Sequence, residues 1–481
     1  MSNTTQALSR IEAILDDSSF VEIGARVTAR ATDFNMQEKK APSDGVITGY
    51  GVVNGNLVYV YSQDASVLGG TIGEMHAKKI ASLYEKAMKM GAPVVGLIDC
   101  AGLRLQEATD ALNGFGEIYK NMSLASGIIP QITAVYGECG GGLAVLAELS
   151  DFVFVEEKKA KLFVNSPNAL DGNYESKLDT SSAKFMAEAG VVDFVGDEET
   201  IANGVRQLVS MLPSNNAEGT VCTDNQDDLN RVCQDMEAEI ADPALALTDI
   251  SDDGVFVETK AEYAKEMVTG FILVDGVTVG AVANRTALYD ENGEKAEEFA
   301  PVLTTAGAYK AAEFVTFCNA FEIPVLTLTN VKGFEATVKS ERTIAKAAAK
   351  LVYAFSNADV PKVNIITGEA YGSAYVAMNS KSIGADMVYA WPQASIGMMD
   401  ASLAAKIMYA DDIAASKDVT STINEKAAEY AALQSSVDQA AARGYVDTII
   451  NPEDTRKYVV AAFEMLFDKR EVRADKKHGT V

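Results

Sequence analysis

Histidine is nearly missing from this chain: 481 residues hold two, His76 and His478. A triad built on imidazole would have to rest on His76, because His478 lies in a charged tail. His76 sits in GEMHAKKI, which reads as the first turns of a helix, and is assigned there as a packed or capping residue rather than a base. Cysteine is scarce and odd in number. Cys100, Cys139, Cys222, Cys233 and Cys318 have no metal-ligand spacing, which predicts free thiols and excludes a disulfide framework and a zinc site. Positive charge is short as well: 41 Lys and Arg against 68 Asp and Glu leave a net charge of −27. That balance excludes nucleic acid and anionic lipid as partners, and any anionic ligand must find a local cationic or backbone site. No segment reaches 18 uninterrupted apolar residues and MSNTTQALSR has no apolar signal core, so a cytoplasmic protein is expected.

What is present is glycine, placed with order. GECGGG, Gly137 to Gly142, follows the apolar strand Ile132 to Tyr136 and opens the apolar segment Leu143 to Leu149. A strand, a glycine turn and a helix start leave backbone N–H groups without partners and aimed at one point. Glycines let the main chain approach a ligand, and such donors can hold a developing negative oxygen. A tight turn with close helix packing remains the alternative for this stretch taken alone.

The element occurs twice. Adding 231 to Pro93, Gly102, Pro130, Gly137 and Gly141 gives Pro324, Gly333, Pro361, Gly368 and Gly372, without a gap. With 11 prolines in the whole chain, two Pro-to-Pro matches at one offset argue against chance. PVVGLID lies over PVLTLTN, and PQITAVYGECGGG over PKVNIITGEAYGS. Length alone suggests about three domains. The repeat argues instead for two homologous ones, 1–230 and 231–481, each presenting a glycine-lined anion site.

In chain order, SRIEAILDDSSFVEIG predicts a short amphipathic helix running into a strand. VITGYGVVNGNLVYVYSQD predicts a hairpin turning at Asn54-Gly55, and GFILVDGVTVGAVANR repeats it at Asp275-Gly276. Helices over 75–90 and 306–320 each precede a strand. The order implies α/β layers with parallel strands, with each glycine loop at a strand's carboxyl end. The acidic stretch from Ala217 to about Asp253 lacks periodicity and reads as a linker. AMKM, Ala87 to Met90, matches the residues around the acceptor lysine of biotin carrier domains, but Lys89 ends an amphipathic helix instead of sitting at a hairpin tip. Gly91 as a helix cap explains it without modification.

Several long strings carry a family resemblance: TDFNMQEKKAPSDGVITGYG, GEMHAKKI, SGIIPQITAVYGECGGG, CNAFEIPVL, GEAYGSAYVAMNSKSIGADMVYAWPQASIGMM, ARGYVD and the KKHG tail. Across nearly the whole chain they resemble the biotin-dependent acyl-CoA carboxyltransferases, the group that includes the carboxyltransferase subunits of propionyl-CoA carboxylase and of the methylmalonyl-CoA and glutaconyl-CoA decarboxylases. The resemblance implies two crotonase-like ββα domains in a homo-oligomer, a dimer or a hexamer, with the active site between the first domain of one subunit and the second of its neighbour. It implies that Gly141 and Gly142 hold the thioester oxygen of a short-chain acyl-CoA, with Gly102, Arg104 and Gly140 beside them. It implies that Ser373 and Ala374, beside Gly333, Tyr371 and Gly372, hold the ureido oxygen of carboxybiotin. Biotin would arrive on a separate carrier protein rather than on this chain. The other partners implied are a biotin carboxylase or a membrane decarboxylase subunit, to which the chain would be peripheral. Lys78 and Lys79 join Arg104 as expected phosphate-binding cations.

The chain departs from the family pattern at Leu103, which is bulkier than the usual residue and narrows the acyl or CoA pocket, at Lys332 in place of proline, in SERTIAKAAAK and in NSPNALDGNYESK. Two other readings stand beside the transferase: a crotonase-type enzyme acting on CoA thioesters without biotin, and a non-catalytic carboxylase subunit.

Overall fold

The structure is a computed structural model that describes residues 5–30, 34–219, 222–290, 292–474 and 478–480. Thr32 and Asp33 of the TDFN string, Lys476 and Lys477 of the KKHG tail, and the first four residues of MSNTTQALSR lie outside the described residues. The chain forms two compact units, Met1–Val221 with Lys260–Tyr263, and Cys222–Thr259 with Ala264–Val481.

The first unit is built on β1 (Val21–Ile23), β2 (Val46–Val53), β3 (Asn56–Gln63), β4 (Val94–Cys100), β5 (Gln131–Gly140), β6 (Phe152–Glu156), β7 (Lys161–Phe163) and β8 (Phe194–Gly196). The sheet order is β1-β2-β3-β4-β5-β6-β8, with β7 paired to β5. The first three strands are antiparallel and the rest parallel. The hairpin turns where Asn54 and Gly55 both take positive φ, 48° and 85°, as a two-residue loop requires. Strand β4 and the first six residues of β5 are apolar and mostly buried, as expected of parallel strands covered on both faces. Helices Glu74–Met90 and Ala108–Ala125 pack against each other, and Ile80, Leu83, Phe115, Ile118 and Met122 join one core with Ile98 and Val135.

The second unit repeats the plan with β9 (Phe256–Thr259), β10 (Met267–Val274) and β11 (Val277–Asn284), then a separate hairpin of β12 (Ala287–Tyr289) and β13 (Lys295–Glu298). It continues through β14 (Val325–Val331), β15 (Lys362–Tyr371), β16 (Met387–Ala390), β17 (Ser395–Gly397) and β18 (Thr448–Ile449). The sheet order is β18-β16-β15-β14-β11-β10-β9, with β17 paired to β15. The correspondence reaches single residues. The register shifts between Ile98 and Cys100 on β4, and again between Thr329 and Val331 on β14, each time 231 residues on. On the other side, the ends of β5 and β15 pair with the short strands β7 and β17 in place of β6 and β16.

The acidic stretch read as a linker is largely part of the second unit. Cys233, Met236, Ala246, Leu247 and Ile250 are buried in its core, with a helix over Pro243–Ile250 capped by Asp242. The stretch shows no period because buried ions fix it rather than an apolar stripe. Arg456 donates to Asp252 Oδ1 at 2.6 Å and to the Ile250 carbonyl, and Arg285 to Asp242 Oδ1 at 2.7 Å.

Candidate active site

Strand β5 ends at Gly140, and helix Gly142–Glu148 begins two residues later. The link is Gly141, at φ 64° and ψ −125°, a region that strains any residue with a side chain. Its N–H is taken: it donates to the Phe163 carbonyl at 2.8 Å, tying the turn to β7. This corrects the expectation that Gly141 supplies an oxyanion donor. The first-turn N–H groups of Gly142 and Leu143 have no acceptor within the helix, whereas Ala144 N–H returns to the Gly141 carbonyl. The glycines therefore divide the work between bending the chain and exposing it.

In front of the turn lies a cavity of ≈ 490 Å³, walled by Gly102 and Leu103, by Leu112, Phe115, Gly116 and Tyr119, and by Gly140 to Gly142. Gly102 and Leu103 are held by a bridge to Ile72, whose N–H donates to the Gly102 carbonyl at 2.9 Å. The helix residues were not anticipated as site residues. Their spacing of three and four is the signal that places them on one face of Ala108–Ala125, and Leu112 is 59% exposed where a core position would be covered. The Tyr119 hydroxyl donates to the Gly142 carbonyl at 2.6 Å, and the Phe115 and Tyr119 rings lie 5.5 Å apart.

In the second unit, β15 ends at Tyr371 and helix Gly372–Ala377 starts at once. Gly372 has φ 63°, and a side chain added there would meet the Met398 carbonyl 3.2 Å away. Gly372, Ser373 and Ala374 form the first turn of this helix, whose N–H groups have no acceptor within the helix itself. Ser373 is exposed and Ala374 buried. Tyr371 Oη donates to Ser395 Oγ at 2.9 Å, and Lys332 Nζ pairs with Glu369 at 3.0 Å. Gly333 accepts from Leu303 N–H at 2.9 Å, the counterpart of Gly102 and Ile72.

Two of the three expected phosphate cations are committed inside the first unit. Arg104 is buried and donates to Asp44 Oδ1 at 2.5 Å, to Glu107 Oε1 at 2.8 Å and to the Thr71 carbonyl at 2.7 Å. Lys79 is buried against Ser43 and the Val46 carbonyl, and burial brings its pKa down to about 8. Both reside in the scaffold because a guanidinium or ammonium with several internal acceptors has no donor to spare. Lys78 alone is half-exposed, paired with Glu74 at 2.6 Å.

His76 is fully buried, donating from Nδ1 to the Asp44 carbonyl at 3.0 Å and accepting at Nε2 from Gln63 at 3.1 Å. Burial first, then Arg104 nearby, lowers its pKa to about 3, so it stays neutral and packed, as expected. Cys100, Cys139, Cys233 and Cys318 are buried free thiols and Cys222 an exposed one. Burial raises Cys100 to about 12 and Cys139 further, which makes both poor nucleophiles despite their place beside the first glycine turn. Lys89 lies in the last turn of Glu74–Met90, capped by Gly91 at φ 60°. Among the described residues no group of acidic, histidine and cysteine side chains could hold a metal ion, and no helix is long and apolar enough to cross a membrane.

A family profile described as the carboxyl transferase domain matches residues 2–481. Methylmalonyl-CoA decarboxylase subunit alpha of Propionigenium modestum is 40% identical over 99% of this chain and 92% of its own length. Propionyl-CoA carboxylase beta chain of Roseobacter denitrificans is 38% identical over 99% of this chain and 93% of its own. Among solved structures, the transcarboxylase 12S hexamer with hydrolysed methylmalonyl-coenzyme A bound superposes with a TM-score of 0.90 at 35% identity, covering 98% of this chain and 92% of that one. The fold is thus the tandem crotonase-like α/β architecture that the resemblance implied.

Proposed function

The chain belongs to the carboxyl transferase family, and from that premise we propose that it moves a carboxyl group between a short-chain acyl-CoA of the propionyl or methylmalonyl type and biotin carried on a separate protein. The observation that carries this reading is the pair of equivalent glycine turns, each with first-turn N–H donors that have no acceptor within the helix, in a chain whose one candidate imidazole base is buried and neutral. Transfer of a carboxyl group needs charge stabilised on a thioester oxygen and on an acceptor oxygen, and it needs no protein nucleophile.

In the first unit, Gly142 and Leu143 N–H would hold the thioester oxygen, and Leu103, Leu112, Phe115 and Tyr119 would enclose the acyl group and exclude water. Leu103 narrows that cavity and favours a short acyl chain. In the second unit, Gly372, Ser373 and Ala374 N–H would receive the ureido oxygen, and the residues present fit it: a helix start opened by a positive-φ glycine, where a Cβ would crowd the Met398 carbonyl. Biotin supplies the carboxyl acceptor and donor when bound. Lys89, at a helix end, is not read as its attachment site, so a biotin carboxyl carrier protein is the implied partner. A biotin carboxylase or a membrane decarboxylase subunit would set the direction of net reaction. The chain is read as a cytoplasmic homo-oligomer, in line with the hexamer described for the 12S relative.

The test is carboxyl transfer from methylmalonyl-CoA to free biotin by the purified chain. Formation of propionyl-CoA that depends on biotin is expected. Release of CoA at the same rate without biotin would instead favour the biotin-independent crotonase-type enzyme.

A further inference from the structure

Between residues 332 and 350 lie five cations, Lys332, Lys339, Arg342, Lys346 and Lys350, against two acids, Glu335 and Glu341, in a chain of net charge −27. Lys339, Arg342 and Lys346 are exposed, and among the described residues none of these three nor Lys350 has a salt bridge. Lys350 lies 5.2 Å over the Tyr309 ring, and Lys332 pairs with Glu369 on the strand that leads to Gly372. Lys339 lies on the short helix Val338–Glu341, Arg342 in the link that ends it, and Lys346 and Lys350 four residues apart on the next helix, Ile344–Asn357, which packs against the helix that opens at Gly372.

The fold does not require this charge. Subtracting 231 gives Ala101, Ala108, Ala111, Phe115 and Tyr119, all uncharged in the homologous unit. Like charges at such spacing oppose helix formation, so the cluster does not serve helix stability either. Its first helix also exposes an apolar side chain, Val338, to 82%. Cations spread over two helices and the link between them suit an extended acidic surface, whereas one phosphate would draw them to a point.

We propose that this cluster docks an acidic face of the protein that carries biotin, so that the tethered ring reaches Gly372 to Ala374; the proposal rests on the carboxyl-transfer reading above. Complementary charge of this kind acts mainly on encounter and weakens with salt.

The experiment compares the wild type with the triple variant Lys339→Glu, Arg342→Glu, Lys346→Glu and with a surface control, Lys158→Glu, Lys159→Glu, Lys184→Glu. Transfer from methylmalonyl-CoA is measured to the purified biotinylated carrier protein of the same organism and to free biotin, at low and at physiological salt. The expected result is a rise in KM for the carrier of about tenfold or more at low salt, with kcat and transfer to free biotin unchanged and the control like wild type. The salt dependence of the carrier KM should disappear in the variant. A melting temperature close to wild type checks folding, and the glutamine version of the triple variant, expected to shift KM less, replaces it if charge reversal unfolds the chain. An unchanged carrier KM would overturn the proposal, as would a rise in KM for methylmalonyl-CoA instead, which would assign the cluster to CoA phosphates. Should wild type fail to carboxylate free biotin, the functional reading falls, and carrier binding measured directly by calorimetry still decides the role of the cluster.

Discussion

The two units use one frame for two surfaces. Both present a long strand, an irregularity on its neighbour at equivalent residues, a short strand that takes over the pairing, and a positive-φ glycine where the helix begins. They part company at the helix that follows the preceding loop. In the first unit that helix supplies Leu112, Phe115 and Tyr119 and encloses an apolar cavity. In the second, the same positions carry Thr343, Lys346 and Lys350. Backbone geometry, copied intact, fixes where negative charge is received, and side chains on one helix decide which partner arrives.

That division is broken most severely at the glycine turns. A Cβ on Gly142 would lie 2.7 Å from Tyr119 Oη, so Gly142→Val must displace the tyrosine and intrude on the cavity. Loss of one oxyanion donor costs about 3 to 4 kcal/mol, or roughly 100- to 1000-fold in turnover. Ser373→Pro removes one N–H from the other array, with a comparable loss expected. The two should differ in kind. The first mutant is expected to lose enolate-dependent exchange of the acyl-CoA, and the second to bind acyl-CoA normally yet fail to pass the carboxyl group to biotin. Equal weakening of acyl-CoA binding in both, with native circular dichroism, would end the claim of divided labour.

Tyr119→Phe sharpens the comparison at smaller cost. It keeps the ring that walls the cavity and deletes the hydrogen bond to the Gly142 carbonyl, which belongs to the same peptide unit as Leu143 N–H. A lost hydrogen bond of this type is worth about 0.5 to 1.5 kcal/mol, so kcat should fall about 2- to 12-fold while KM for acyl-CoA holds. Lys350→Ala, its counterpart by position, should leave transfer to free biotin alone.

Much of this was legible in the residues. The offset of 231 is visible because glycine and proline at fixed places are demanded by backbone geometry, and the structure repeats the turn at Gly141 and Gly372 and the hairpins at Asn54 and Asp275. Less legible was where each cation points. Arg104 and Lys79 look like free charges in sequence, but their acceptors, Asp44, Thr71, Ser43 and Val46, are brought to them by tertiary packing. The same limit hid the Gly141 bond to Phe163, made across 22 residues, and the anchoring of residues 222–253 by Arg285 and Arg456.

A pH series tests the pairing of a second equivalent couple. Asp151 accepts from Gln131 N–H at 2.8 Å at the foot of β5, and Asp386 from Lys362 N–H at 2.8 Å at the foot of β15. Asp386 has Lys469 Nζ at 2.8 Å; Asp151 has no salt bridge among the described residues, and burial raises its pKa to about 7. An acid raised in the fold binds more protons native than unfolded between about pH 4 and 7, so its contribution is complete below that window and is lost as pH rises through it. Asp151→Asn should therefore gain stability relative to wild type as pH goes from 5 to 8. Asp386→Asn, which leaves Lys469 without its carboxylate, should be destabilised throughout. Parallel melting curves for the two variants across this range would refute the distinction.

The smallest expected effect lies where the homologous helices start. Ala108 opens Ala108–Ala125 at φ 46° and ψ −116°, whereas its counterpart by position, Lys339, lies inside Val338–Glu341 without positive φ. A side chain held at such angles costs on the order of 1 to 3 kcal/mol. Glycine there relieves that strain and gives back up to about 1 kcal/mol through the freer unfolded chain. The net expectation for Ala108→Gly is a gain between about 0 and 2 kcal/mol in urea unfolding. Lys339→Gly has no strain to relieve and loses about 1 kcal/mol of helix propensity. The sign of the difference is the test. If both glycine variants are destabilised alike, Ala108 stores no strain, and the two helix starts are equivalent in backbone as well as in position.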